Sequence, residues 1–283
     1  MASLDRLDAS GLRGRWNLSL AFGIRRVFRI YPLSVLCVLL IPIFRIPPSP
    51  SEVYSWIGTW HFCSNLALAQ SLTYSPNILD VLWSLPLEVE MYCLLPLIYF
   101  VIRSGRYRSL LVWVLAVVAG LTIPGLVGRL SVFLYAPCFA AGVLAFDLSR
   151  TVRPGFPSWL WPCAIGLAMC LFGPLDNISL PDKMPRAWIL SLGLGLFLPF
   201  CIELRAPSVA RACHYIAKYS YGIYLSHSIV FWVVLYKMDA FPWPIRLVTL
   251  IAASVTVPVA MYHLVEAPLI RVGGRLASSV RSG

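Results

Sequence analysis

The 283-residue chain is 59% hydrophobic and only 12% charged, with a mean hydropathy of +0.78, whereas a soluble domain carries about a quarter charged residues. That balance excludes a water-soluble enzyme and points to an all-α, polytopic membrane helix bundle without a separate soluble domain. A net charge of +11 would suggest nucleic acid in a soluble protein, but here the basic residues sit in short loops between apolar runs. This is the topogenic pattern of a membrane protein, so the expected partner is the lipid bilayer and not nucleic acid.

Residues 1–24 are polar, carry arginines and Gly11, Gly14 and Gly23, and lack the apolar core of a secretory signal. They read as a flexible cytoplasmic arm passing into a short interfacial helix. Arg25-Arg26-Val-Phe-Arg29-Ile-Tyr-Pro32 then leads into a first span over about 28–44. A long connection over 45–80 opens with Pro47, Pro48 and Pro50. Its apolar part, Trp56 to Leu72, contains His61, Asn65 and Gln70, which suits a re-entrant or interfacial segment better than a crossing. Further spans are expected at about 81–102, 109–127, 130–147, 158–173, 187–204, 219–236 and 244–264, which makes about eight. Residues 25–270 thus form the transmembrane domain and 271–283 a basic cytoplasmic tail.

Loop charges orient this bundle. With the N-terminus in the cytoplasm, all but six of the 23 basic residues fall on the cytoplasmic side, including Arg6, Arg13, Arg15, Arg103, Arg106, Arg108, Arg150, Arg153, Arg205, Arg211, Lys218, Arg271, Arg275 and Arg281. The opposite side keeps Arg45, Arg129, Lys183, Arg186, Lys237 and Arg246. Both termini are therefore expected in the cytoplasm. The eight cysteines lie mostly inside apolar runs with no CxxC or Cys/His spacing, so free thiols and no metal are expected. Asn17-Leu-Ser and Asn177-Ile-Ser match the glycosylation sequon, a pattern too short to carry weight. Gly193-Leu-Gly195 suits helix packing and not phosphate binding, because no strand–turn–helix context surrounds it.

Four groups of residues can carry chemistry. Arg26 and Arg29 are three apart and share a helix face beside Arg25, which offers forked donors to phosphate oxygens; topology signalling or headgroup contact explains them equally well. In Trp83-Ser84-Leu-Pro-Leu-Glu88-Val-Glu90-Met-Tyr92, helical spacing puts Ser84, Glu88 and Tyr92 on one face, about 10 Å into the bilayer from the outer side. An ionisable group at that depth is costly and marks a functional site, the plainer alternative being an arginine pair that holds two helices together. Ser220, Tyr224 and His227 likewise share a face in Ser220-Tyr221-Gly-Ile-Tyr224-Leu-Ser-His227, although a lone membrane histidine is often a hydrogen-bonded packing residue. In His263-Leu-Val-Glu266-Ala-Pro268, Glu266 reads as a helix cap or an arginine partner. No G-x-S-x-G elbow is present, so a Ser-His-Asp triad is not assembled.

Taken in order, these stretches resemble the acyltransferase 3 family of membrane-bound O-acyltransferases, which acylate sugars of surface polysaccharides. Arg25-Arg26-x-x-Arg29-Ile-Tyr-Pro32 is similar to the arginine motif that leads into that family's third helix. Trp83-Ser84-Leu-x-x-Glu88-x-x-x-Tyr92-x-x-x-Pro96 resembles its W-S-L-x-x-E-x-x-x-Y signature, and Phe139-x-x-Gly142-x-Leu-Ala its F-x-x-G segment. Ser220-Tyr221-x-x-Tyr224-Leu-x-His227 is similar to its S-Y-x-I-Y-L-x-H motif, and Glu266-x-Pro268 to its closing E-x-P.

The resemblance implies an acyl-CoA co-substrate, acetyl-CoA foremost, with its phosphates at Arg25, Arg26 and Arg29. It implies a glycan or polysaccharide acceptor in the envelope of a bacterium, with the enzyme in the inner membrane. Glu88 or His227 would act as base, and Tyr92 or Tyr224 would donate to the carbonyl oxygen. Trp83, Ser84, Ser220, Tyr221, Glu266 and Pro268 would complete the structural motifs. The family's first helix carries a histidine held to be the catalytic base, and these 24 leading residues contain none. The alternative expectation is therefore an inactive or partner-dependent remnant that binds donor or lipid-linked sugar without turnover.

Overall fold

The computed structural model describes residues 1–9, 14–47, 53–103, 105, 107–127, 132–173, 180–203 and 206–280. Gly11, Arg13, Pro48, Pro50, Arg106, Arg129, the Asn177 sequon, Arg205 and Arg281 lie outside them, as does the side chain of Lys183. The described residues form helices joined by turns, with one isolated bridge between Phe156 and Cys201. In chain order the helices are α1 (Ala2–Ala9), α2 (Arg15–Phe44), α3 (Thr59–Leu66), α4 (Gln70–Thr73), α5 (Ser84–Ile102) and α6 (Arg108–Val127). They continue with α7 (Val132–Ser149), α8 (Leu160–Phe172), α9 (Leu180–Phe197), α10 (Pro207–Trp232), α11 (Trp243–Met261) and α12 (Ala267–Ser279). A 3₁₀ turn over Asp80–Trp83 leads into α5, and π-helical turns over Val233–Lys237 and Tyr262–Glu266 follow α10 and α11.

Five helical stretches among the described residues are long and apolar enough to cross a membrane: Arg15–Phe44, Asp80–Ile102, Arg108–Gly125, Val132–Ser149 and Trp243–Ser279. The apolar helices Leu160–Phe172 and Met184–Phe200 are shorter than a full crossing. Large apolar side chains such as Leu121, Leu167 and Val248 face outward, an arrangement that suits lipid as the surrounding medium.

The chain divides into two compact units. The first comprises Met1–Ala9 and Glu90–Ala210. Here α7 packs against both α6 and α9, and α8 against α9. Leu134, Met184 and Trp188 form a buried cluster in which the Trp188 indole donates to the Leu134 carbonyl at 2.8 Å. A Cβ on Gly195 would lie 2.7 Å from the Ala141 carbonyl oxygen, so α9 approaches α7 to a distance only glycine permits. Gly193 meets nothing within 4 Å. The expected flexible arm is helical over Ala2–Ala9, because Leu4 and Leu7, three apart on one face, are buried there.

The second unit comprises Ser10–Val89 and Arg211–Gly283. Its main packing is α2 against α12. A Cβ on Gly273 of α12 would stand 2.5 Å from the Phe28 Cβ, so the two helices touch through that glycine. The span expected from about residue 28 and the short helix expected before it are one continuous helix that begins at Arg15. Leu18, Ala21 and Phe22 are buried and extend the packed stripe through a stretch whose arginines hide it from a hydropathy reading. The basic tail expected at 271–283 is helical to Ser279, with Gly273 and Ala277 buried.

The connection between α2 and α5 is held by its own polar groups. Asn65, fully buried, donates to the carbonyls of His61 (2.8 Å) and Pro76 (2.9 Å) and accepts from the Ile78 amide (3.0 Å). His61 Nδ1 lies 2.9 Å from the Ser75 hydroxyl, which meets Thr73 at 2.9 Å; Thr73 in turn contacts Ser64. Both α3, of eight residues, and α4, of four, are far shorter than a crossing.

Candidate functional site

Three stretches of the second unit meet around the tyrosines of α10. Pro86 falls in the first turn of α5, where its missing amide costs nothing, so the helix starts at Ser84 and carries Glu88 one turn in. The Tyr224 hydroxyl donates to the Val81 carbonyl and lies 2.7 Å from the Ser84 hydroxyl. A phenol has one proton. With it directed at Val81, Ser84 is the donor to the Tyr224 oxygen, giving a relay Ser84 to Tyr224 to Val81. Tyr221, three residues earlier on α10, donates to the Ile30 carbonyl of α2 at 2.7 Å. Ser34 of α2 is buried, lies within 3.1 Å of the Ile30 and Tyr31 carbonyls, and also reaches the Tyr221 hydroxyl.

Acids surround this pair of phenols. Glu88, half-buried, bears electrostatically on both Tyr221 and Tyr224. Glu266 bears on Tyr221 from the π-helical turn that precedes α12, and Arg29 of α2 bears on Glu266. Glu266 is 2% exposed, and its Oε2 has no hydrogen-bond partner among the described residues. Single π-turns inside helices occur frequently at functional sites. Pro268 occupies the first turn of α12, where it terminates that π-turn without breaking the helix.

His227 stands one turn beyond Tyr224, with ring centroids 6.1 Å apart. Its Nδ1 donates to the Tyr224 carbonyl at 2.7 Å. A carbonyl only accepts, so the proton of the neutral imidazole resides on Nδ1 and the lone pair on Nε2. The ring is therefore set in the tautomer a proton acceptor needs.

The remaining expected residues fall as follows. Ser220 is exposed and turns back to the Ala217 carbonyl at 2.9 Å, so Tyr221, and not Ser220, joins Tyr224 on the inward face. Arg25 and Arg29 are exposed; Arg26 is half-buried with its guanidinium over the Phe22 ring, 5.0 Å from the centroid. Trp83 is half-exposed. Tyr92 lies one turn past Glu88 on α5 and, like Phe139 and Gly142 of α7, belongs to the first unit. Ser34 was invisible to sequence reasoning, since one serine in an apolar span gives no pattern. Only its spacing from Arg29 and Tyr31 along the same helix could have drawn attention to it.

A family model described as an acyltransferase domain matches residues 9–263. The chain is also 25% identical over 240 residues to the "Putative acetyltransferase ORF330" of Acidianus two-tailed virus, an alignment covering 79% of this chain and 67% of that protein. No solved structure matches the chain significantly.

Proposed function

Because this chain belongs to the acyltransferase 3 family, we propose that it moves an acyl group, acetyl foremost, from acyl-CoA to a hydroxyl of a glycan or surface polysaccharide. The observation that carries this reading is the Ser84–Tyr224 hydrogen bond. It joins the W-S-L-x-x-E and S-Y-x-x-Y stretches, which lie 140 residues apart, in a place where Glu88 bears electrostatically on both phenols. On this reading the enzyme sits in a bacterial inner membrane with about eight spans, and the loop charges support both termini in the cytoplasm.

In the proposed reaction the donor's phosphates meet Arg25, Arg26 and Arg29 in the first half of α2. The thioester reaches toward the phenols. His227 Nε2 takes the proton of the acceptor hydroxyl, and the acceptor oxygen attacks the thioester carbonyl carbon. The carbonyl oxygen gains charge and is met by the Tyr224 O–H, which turns from the Val81 carbonyl to do so. The C–S bond then breaks, and the CoA thiolate leaves and receives the proton from His227. Glu88 fixes the phenols electrostatically and balances the imidazolium.

The test uses the full chain in nanodiscs with radiolabelled acetyl-CoA and a glycan acceptor. Glu88→Gln and His227→Gln are each expected to lower transfer by about a hundredfold or more. Unchanged turnover in both variants would refute the assignment of this cluster as the catalytic site.

A further inference from the structure

The first unit holds a second polar site that acyl transfer does not use. At one end of α5, α6 and α7 lies an open cavity of about 710 Å³. Its polar lining includes Arg103, Tyr107, Ser109, Asp147, Arg150 and Thr151. That volume lies within the range of small-molecule sites. Both arginines are about half-exposed and already hold anions, and those anions come from the protein itself. Asp8 of α1 is ion-paired with Arg103, and Asp5 lies 3.4 Å from Arg150. The two carboxylates are three apart on one face of α1 and are further held by the buried Tyr99, whose hydroxyl reaches Asp8 at 3.0 Å and Asp5 at 3.3 Å. Leu4 and Leu7 dock the helix independently of these charges.

Exposed ion pairs contribute little to stability, so the two pairs add little to what Leu4 and Leu7 already provide in holding α1. Their geometry suits a different role. Two guanidinium groups line one cavity, each a forked donor suited to phosphate oxygens, and carboxylates on a short helix are a displaceable substitute for that ligand. Asp147 adds selectivity. Its carboxylate accepts from the buried Ser109 hydroxyl at 2.6 Å and has acceptor capacity left for hydroxyl donors. It would repel a bare polyanion and welcome a ligand with hydroxyl groups beside its phosphate.

We propose that this cavity binds a phosphate ester of a polyol, with Asp5 and Asp8 as built-in competitors for its phosphate at Arg150 and Arg103. Such an ester occurs both as a soluble sugar phosphate and as the headgroup of phosphatidylglycerol. The site stands whether or not the Glu88 cluster performs acyl transfer.

Calorimetry of the full chain with glucose 1-phosphate tests the soluble source. Native mass spectrometry after release from phosphatidylglycerol or phosphatidylcholine nanodiscs tests the lipid source. Asp5→Asn/Asp8→Asn is expected to bind about tenfold tighter, since a tethered competitor has been removed. Arg103→Gln/Arg150→Gln is expected to lose binding, and Arg103→Lys/Arg150→Lys, which keeps the charge but not the fork, to retain a weaker form of it. Should the glutamine pair not fold, the asparagine and lysine pairs decide the matter. Binding unchanged by the arginine substitutions, affinity unchanged or weakened by Asp5→Asn/Asp8→Asn, or no binding of either probe by any variant would overturn the proposal.

Discussion

At Tyr224 a single proton serves Val81, and the oxygen it leaves behind accepts from Ser84. The pair should therefore behave as one unit. Tyr224→Phe is expected to cost about 1–2 kcal/mol of stability and Ser84→Ala somewhat less. The double variant should show a coupling of about 1 kcal/mol, read by a double-mutant cycle of unfolding in mixed micelles. Additive losses would mean the hydroxyls are not bonded. With the donor bound as proposed, Arg26→Ala/Arg29→Ala should weaken CoA binding at least tenfold by calorimetry, because two guanidinium groups would be withdrawn from its phosphates. Unaltered affinity would return both residues to a topological role. Each of these residues could be picked out in the sequence, since a polar group on an apolar helix stands out by chemistry alone. Their partners could not: hydropathy gives the depth of a residue and not the helix it faces. Glu266 illustrates this. The sequence suggests a cap or an arginine partner at the end of a span, and Arg29 does bear on it; that it is 2% exposed and bears on Tyr221 as well could not be read.

Helices of the second unit owe their spacing to a few small contacts, and Gly273 is the tightest of them. Gly273→Val forces Cβ and Cγ atoms into Phe28 and is expected to lower stability by about 2–3 kcal/mol. Phe28→Ala should restore part of that loss, as thermal unfolding of the single and double variants would show. A Gly273→Val protein as stable as the parent would mean that α12 does not pack on α2. The long apolar helices were legible because their hydropathy extends over whole turns, as in α6 and α7. Their starts were less so. The polar residues Arg15, Asn17, Ser19, Arg25 and Arg26 concealed the first turns of α2, where Leu18, Ala21 and Phe22 supply the packing. Helix α1 was missed altogether. Eight residues show too little periodicity, and its anchors at Tyr99, Arg103 and Arg150 lie more than ninety residues away.

On the scale of the whole molecule, the sequence conveys the all-helical, lipid-facing character directly, since no soluble chain tolerates this much outward apolar surface. Sidedness is the matching prediction. Compartment-sensitive reporters fused to either end should both report the cytoplasm, as the distribution of arginines requires. A split result would make the number of crossings odd and overturn the expected count of about eight. The division into units could not be read from the sequence, because the boundaries at Val89 and Ala210 fall inside α5 and α10 with no break in composition.

That division has a consequence in time. The unit that carries Glu88, Tyr221, Tyr224 and Glu266 is made from both flanks of the chain, and all of Glu90–Ala210 is synthesised in between. At common elongation rates of about 5–20 residues per second, α2 waits roughly ten seconds or more in the bilayer before α10 and α12 emerge to cover it. During that interval Ser34 and the Ile30 carbonyl lack Tyr221, and Phe28 lacks Gly273. A ribosome that stalls before Glu266 releases a chain with every earlier motif and no completed site.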